Sequence, residues 1–220
     1  MMGIADSIDK EPAFDRLLQV AVEVFAEFGF RAATIREICS RANVNVASVN
    51  YYFRSKETLY IKALAYAFDE AHKRYPQDAA LDRNLLPELR LQFFIKNFLS
   101  KLLDNTYLGL HSKLITREIT EPTRALDEII KTAIAPNCLL LEEIIRQIVG
   151  QQANADIVHR CVLSILGQCL MFKHSRSIID RLYPHLIADQ KAIQDTADHI
   201  AKFSLLALTG LVQYKEGSPQ

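Results

Sequence analysis

Hydroxyls, amides and cations crowd together between Thr34 and Lys56, in the stretch TIREICSRANVNVASVNYYFRSK. These are the groups in the chain best suited to recognising a polyanion. Ser48, Tyr51 and Tyr52 carry hydroxyls that can donate to phosphate oxygens and fix register. Asn50 carries an amide that can pair with an adenine edge, and Val46 and Ala47 offer only apolar contact, for example to a thymine methyl. Lys56 brings a formal charge, and Thr34, Arg36 and Asn45 complete the candidate DNA-contacting set. Base readout would rest on few hydrogen bonds, so the shape of the duplex would contribute.

Such groups need rigid elements to position them. Thr34 is an N-cap with Glu37 three residues on, the pattern of a capping box. Ile35, Ile38 and Ala42 form an apolar stripe at helical spacing. Asn43 can take the left-handed conformation of a tight turn, and Val44 can plug the angle between two helices. Asn45 then caps a short helix, Val46 to Phe53, whose Val49 and Phe53 point into a core. Ser55 caps a third helix, with Lys56 in its first turn, where free backbone N–H groups also suit a phosphate. One of Tyr51 and Tyr52 is expected to be partly packed. The pattern is a helix-turn-helix, whose second helix enters the major groove.

Ala42-x-Val44, followed by Val49-x-Tyr51-Tyr52-Phe53-x-Ser55-Lys56-Glu57-x-Leu59, resembles the DNA-binding domain of the TetR family of transcriptional regulators. Ala21, Phe25, Gly29, Thr34 and Ile38 extend the likeness over roughly the first third of the chain. The resemblance implies that Ser48, Tyr51 and Tyr52 reach phosphates. Three positions depart from the usual pattern: Asn43 stands for Gly, Asn45 for Ser or Thr, and Asn50 often for Tyr. The first two can do the same backbone jobs, whereas Asn50 changes the contact set.

Composition fits this reading. Of 220 residues, 50% are hydrophobic and 24% charged, with seven glycines and seven prolines, as in a soluble all-α protein of long helices and short connections. The formal net charge is zero, which argues against non-specific coating of DNA. Residues 31–62 nevertheless hold six cations against two carboxylates, a local charge of +4, and such concentration is what releases counterions from phosphates. Cys39, Cys138, Cys161 and Cys169 have no paired or zinc-like spacing and read as small buried hydrophobes in a reducing cytoplasm. Residues 1–12 are polar and acidic, unlike a signal peptide, and no apolar run is expected to reach the ~20 residues of a membrane span.

The chain order suggests a disordered arm (1–12), a helix-turn-helix domain (13–56), a connecting helix (57–74) and a ligand-binding and dimerisation domain (75–220), about nine helices in all. The opening helix spans about Ala13 to Phe28, with Phe25 and Phe28 in its core face and Gly29 at its end. Pro136 lies inside a continuing apolar pattern, so a helix either kinks there or starts anew. The segment His111-Ser112-Lys113-Leu114-Ile115-x-Arg117-Glu118-x-x-x-Pro122-Thr123 resembles the C-terminal domain of the CecR-like branch of the TetR family. That likeness implies a repressor responding to small compounds.

An apolar-walled cavity for an apolar or amphipathic effector is predicted, lined by Phe93, Phe94, Phe98, Leu114 and Phe172, with His111 and Arg117 as polar handles. The last two long helices, Asp156–His174 and Gln194–Gln213, are assigned to a homodimer interface, because the family pairs them as a four-helix bundle. No catalytic motif, cofactor fingerprint or metal-ligand spacing is present. His111, Glu118 and either His159 or His174 could meet in a cluster, but Arg117 and Glu118 more simply make ordinary polar contacts. The sequence therefore predicts a cytoplasmic, ligand-responsive repressor that binds a near-palindromic operator as a homodimer. An activator or ligand-insensitive binder shares the same domain, and a carrier or enzyme on this fold is the more distant alternative.

Overall fold

The computed structural model describes residues 10–104 and 109–216. Among the described residues the regular structure is helical and contains no strand. The α-helices are α1 (Lys10–Ala32), α2 (Ile35–Ala42), α3 (Val46–Phe53), α4 (Lys56–Arg74), α5 (Asp78–Leu81), α6 (Pro87–Leu103), α7 (Leu110–Thr120), α8 (Ala125–Ile129), α9 (Ala135–Val149), α10 (Ala155–His174), α11 (Arg176–Leu182) and α12 (Gln190–Glu216). A π-helical turn, Ile130–Ile134, joins α8 to α9, and a short 3-10 segment, Pro184–Ile187, precedes α12.

The helices sort into two compact units that interleave along the chain. The first joins Met1–Lys73 to Asn105–Ala133; the second joins Arg74–Asp104 to Ile134–Gln220. Packing thus groups α7 and α8 with the helix-turn-helix, although chain order places them beyond the connecting helix. Of the expected N-terminal arm, residues 1–9 lie outside the described residues, and Lys10 to Pro12 already belong to α1.

In the first unit, Leu17, Ala21, Val24 and Phe25 of α1 are buried, along with Ile38 and Ala42 of α2, Val49 and Phe53 of α3, and Leu59 and Tyr60 of α4. Rings knit this core: Phe14 stacks on Phe53 at 5.3 Å, and Tyr60 sets its edge to Phe25 at 4.8 Å. Phe28 departs from the expected core face. It is 41% exposed, and the Arg41 guanidinium covers its ring at 5.4 Å. Gly29 interrupts the helical backbone at φ 76° rather than ending α1, which resumes for one turn to Ala32.

The second unit is centred on α6. Leu91, Phe94, Ile95 and Leu99 are fully buried against Leu141, Ile144 and Ile145 of α9, Val158 and Ile165 of α10, and Ala197, Ile200 and Leu208 of α12. Pro87 begins α6, where its missing N–H costs nothing. Within the same helix Arg90 is 1% exposed. Its guanidinium donates to the Ala80 carbonyl (2.8 Å), Gln147 (2.8 Å) and Glu143 (3.1 Å), which is how a buried cation is tolerated. Pro136 produces neither a plain kink nor a clean break. Having no N–H, it cannot bond the carbonyl four residues back, and the helix passes through the wider π turn just before it.

One expectation needs correction. Helix α10 is 20 residues long with a mean hydropathy of 1.4 over its most apolar window, so by length and composition it could cross a membrane. The reason is visible in the packing: α10 is apolar on two sides. Val158, Val162, Ile165 and Cys169 face the core, while Leu163 (69% exposed) and Met171 face outward.

Candidate nucleic-acid interface

The helix-turn-helix is built from local bonds. Thr34 Oγ1 accepts from Glu37 N–H at 3.1 Å and caps α2. The reciprocal half of the expected capping box gives way to an ion pair, because the Glu37 carboxylate receives Arg41 Nε at 2.6 Å. Asn43 sits at φ 52°, ψ 49°, the left-handed geometry predicted for it. The bond from Val44 N–H to the Cys39 carbonyl then closes a Schellman-type end. Arg16 on α1 donates to the Ala42 carbonyl at 3.0 Å, satisfying a helix-end acceptor from outside. Asn45 Oδ1 accepts from Ala47 N–H at 2.9 Å and caps α3; Ser55 Oγ accepts from Thr58 N–H at 3.1 Å and caps α4.

These caps orient α3 so that Val49 and Phe53 are buried while Val46, Ala47, Asn50 and Tyr51 are exposed. Tyr51 is 73% exposed. Tyr52 is the packed partner of the pair, with its ring edge-on to Phe14 at 5.5 Å and to Tyr51 at 5.3 Å. The Ser48 side chain lies outside the described residues. Thr34 and Arg36 are exposed. The exposed set can therefore offer one amide, a phenol, a short apolar surface and a guanidinium to a groove.

Lys56 has a more constrained setting than its sequence position suggested. Its ammonium donates to the Arg31 carbonyl at 3.1 Å and lies 4.8 Å from the centre of the Phe30 ring. Partial burial holds its pKa below the usual lysine value. Lys56 thus fastens the first turn of α4 to the end of α1, and one bond leaves an ammonium further N–H groups to give.

A second polar cluster ties α7 to this domain. Glu118 is 1% exposed. Its Oε2 accepts from the Tyr60 hydroxyl at 2.9 Å, and its Oε1 accepts from Thr123 N–H (2.6 Å) and Thr123 Oγ1 (2.8 Å). Burial, with the adjacent carboxylate, pushes the Tyr60 phenol far above its ordinary range, so it stays a neutral donor. The neighbouring Arg117 donates to the Glu27 carbonyl at 2.9 Å. Its Nη1 lies only 2.7 Å from where a Cβ would stand on Gly29. Arg117 and Glu118 therefore make the ordinary polar contacts that the sequence suggested, with partners 90 and 58 residues away that it did not.

The residues expected to line an effector site are divided between the two units. Leu114 and Arg117 belong to the first unit, and Phe93, Phe94, Phe98 and Phe172 to the second. Leu114 and Phe94 are fully buried in packed cores, Phe98 stacks on Phe94 at 5.8 Å, and Phe93 is 37% exposed. The His111 side chain lies outside the described residues. Within the first unit a cleft of about 180 Å³ opens between α4 and α8, with Leu64, Phe68, Ala125 and Ile129 among its walls. Among the described residues no group of three acidic, histidine or cysteine side chains is arranged to hold a metal ion. Cys39 and Cys169 are buried as expected, whereas Cys138 and Cys161 are only half-buried; desolvation raises each thiol pKa, that of Cys169 to about 12.

A capped helix-turn-helix with an exposed second helix, followed by a larger helical unit, defines the class of helix-turn-helix transcriptional regulators. The chain belongs to the TetR family, in its CecR-like branch. Residues 17–63 match the family described as bacterial regulatory proteins, tetR family, and residues 87–208 match the C-terminal domain of the HTH-type transcriptional dual regulator CecR. The chain is similar to the HTH-type transcriptional dual regulator CecR of Shigella flexneri, 30% identical over 190 residues that cover 81% of this chain and 83% of that protein. It is 27% identical to the HTH-type transcriptional repressor NicS of Pseudomonas putida, over 90% of this chain and 91% of that one. In fold it resembles the transcriptional regulator FadR of Bacillus subtilis, solved in complex with stearoyl-CoA, with a TM-score of 0.65, 17% identity, and coverage of 87% and 97% of the two chains.

Proposed function

We propose that this TetR-family regulator is a repressor that binds a near-palindromic operator as a homodimer and is released by a small-molecule effector. The observation that carries the DNA-binding part is the division of α3: Val49 and Phe53 are spent in the core, and Val46, Ala47, Asn50 and Tyr51 are left outside. In this reading Asn50 reads a base edge, Tyr51 and Arg36 contact phosphates, and α3 lies in the major groove.

Dimerisation is supported by surplus apolar surface on the last two long helices. Helix α12 buries Ala197, Ile200, Ala201 and Leu208, yet it also exposes Phe203 (58%) and Leu206 (66%). Leu163 and Met171 do the same on α10. Gly167 and Gly210 have open space where a Cβ would stand, which leaves room for a close helix from a second copy. A two-fold dimer would present two α3 helices to half-sites about one helical turn apart.

Release follows if the effector binds more tightly to a conformation in which that spacing is wrong. Moving the balance from mostly bound to mostly released takes a differential of about 5.5 kcal/mol. The test is selection of bound sequences from random duplex DNA at a stated salt concentration. A single near-palindrome is the expected result. Recovery of nothing above background from folded protein would overturn the reading in favour of a carrier or enzyme on this fold.

A further inference from the structure

The cleft between α4 and α8 lies in the unit that carries the helix-turn-helix. Its volume, about 180 Å³, exceeds the roughly 150 Å³ of an apolar cavity that accepts benzene. Leu64, Ala125 and Ile129, all at most 3% exposed, form its floor, and Phe68 forms one wall. Its polar rim is net acidic: the exposed Asp69 and Glu128 carboxylates stand against the single cation Lys62. Neither carboxylate is taken up in an ion pair among the described residues. One side of the mouth is Thr132, within the π turn, a backbone feature that concentrates at functional sites in helical proteins.

We propose that this cleft is an effector site for a single apolar ring bearing a cationic substituent, an arylalkylammonium. The ring would lie on Leu64 and Ile129 beside Phe68, and the ammonium would face Asp69 and Glu128. The volume sets the one-ring limit, and the rim sets the sign of charge. Occupation would fix the spacing of α4 and α8. Helix α4 is the element whose first turn is bonded to the end of α1 through Lys56 and whose Tyr60 is bonded to α7. The regulatory consequence rests on the repressor reading; the binding site does not.

The experiment titrates the full-length protein with phenethylamine, and separately with the anion phenylacetate, by ligand-observed NMR and calorimetry. Three forms are compared: the natural sequence, Asp69→Asn/Glu128→Gln, and Ala65→Phe. Ala65 is an exposed lining residue, so a larger side chain there fills the cleft without entering the core. The amine should bind the natural protein at least about fivefold tighter than the acid. That preference should vanish in the double variant, and binding of both should be lost in Ala65→Phe while DNA binding persists. Absence of amine binding up to about 10 mM, or binding undiminished by Ala65→Phe, overturns the site. Amine binding that leaves selected operator DNA bound keeps the site and refutes its role in release.

Discussion

Replacing Tyr60 by Phe tests whether the buried cluster around Glu118 holds the first unit together. The change deletes one hydroxyl and leaves the ring, with its contacts to Phe25 and Phe30, in place. Glu118 keeps Thr123 N–H and Oγ1 on one oxygen and loses its donor on the other. A hydrogen bond to a charged group contributes about 1.5–3 kcal/mol, and removing the buried hydroxyl recovers part of that, so a loss of about 1–2 kcal/mol is expected. Glu118→Ala strands both the Tyr60 hydroxyl and Thr123 N–H and opens a cavity, with an expected loss of about 3–5 kcal/mol. In the double variant the two losses overlap by about 1–2 kcal/mol. The assay is equilibrium urea unfolding at one fixed protomer concentration, because association shifts the apparent stability of any oligomer. A Tyr60→Phe loss indistinguishable from zero, or losses additive within about 0.3 kcal/mol, would show that the 2.9 Å contact contributes nothing.

Two other perturbations give separable results. Asn50→Ala should cost about 1–3 kcal/mol at one base position of each half-site and leave the others unchanged; uniform weakening in a binding-site selection would assign Asn50 to the backbone. The Glu143 carboxyl is held below its usual value, chiefly by Arg83, with Arg90 adding to it against the effect of burial. A depressed folded value means that its stabilisation is complete above about pH 4.5, the ordinary value, and disappears as pH falls through the folded value. Glu143→Gln should cost about 1–3 kcal/mol at neutral pH, since Arg90 stays buried with only Gln147 and the Ala80 carbonyl, and should lessen the loss of stability in acid. An unchanged acid limb in thermal unfolding would refute the assignment.

The parts of this protein that could be read from sequence are those decided within a few residues. Thr34, Asn45 and Ser55 cap the helices they precede because a short polar side chain needs only the next turn to bond. Asn43 turns left-handed because little else but glycine can. Pairings over long separations leave no such local mark. Nothing near Arg16 points to the Ala42 carbonyl, nor near Tyr60 to Glu118, and Arg90 looks like any helical cation until its partners from α9 and the Ala80 carbonyl are seen. Phe28 shows the limit of periodicity, which locates an apolar face without saying how far along the helix the core extends. Apolar richness in α10 was equally ambiguous, since an inner and an outer stripe on one helix look alike in a hydropathy profile.

The interleaving of the two units bears on how the chain is made. When α4 leaves the ribosome, the pocket of the first unit that receives Glu118 and Arg117 has no occupant, and more than thirty residues must follow before α7 emerges. Those residues include α6, the central helix of the second unit, whose own partners come later still. The first unit therefore cannot finish until α5 and α6 of the second have already been made. A truncation after residue 74 would keep every residue of the helix-turn-helix and still leave Tyr60 facing an empty site, so the smallest piece expected to fold as the first unit does extends to Ala133.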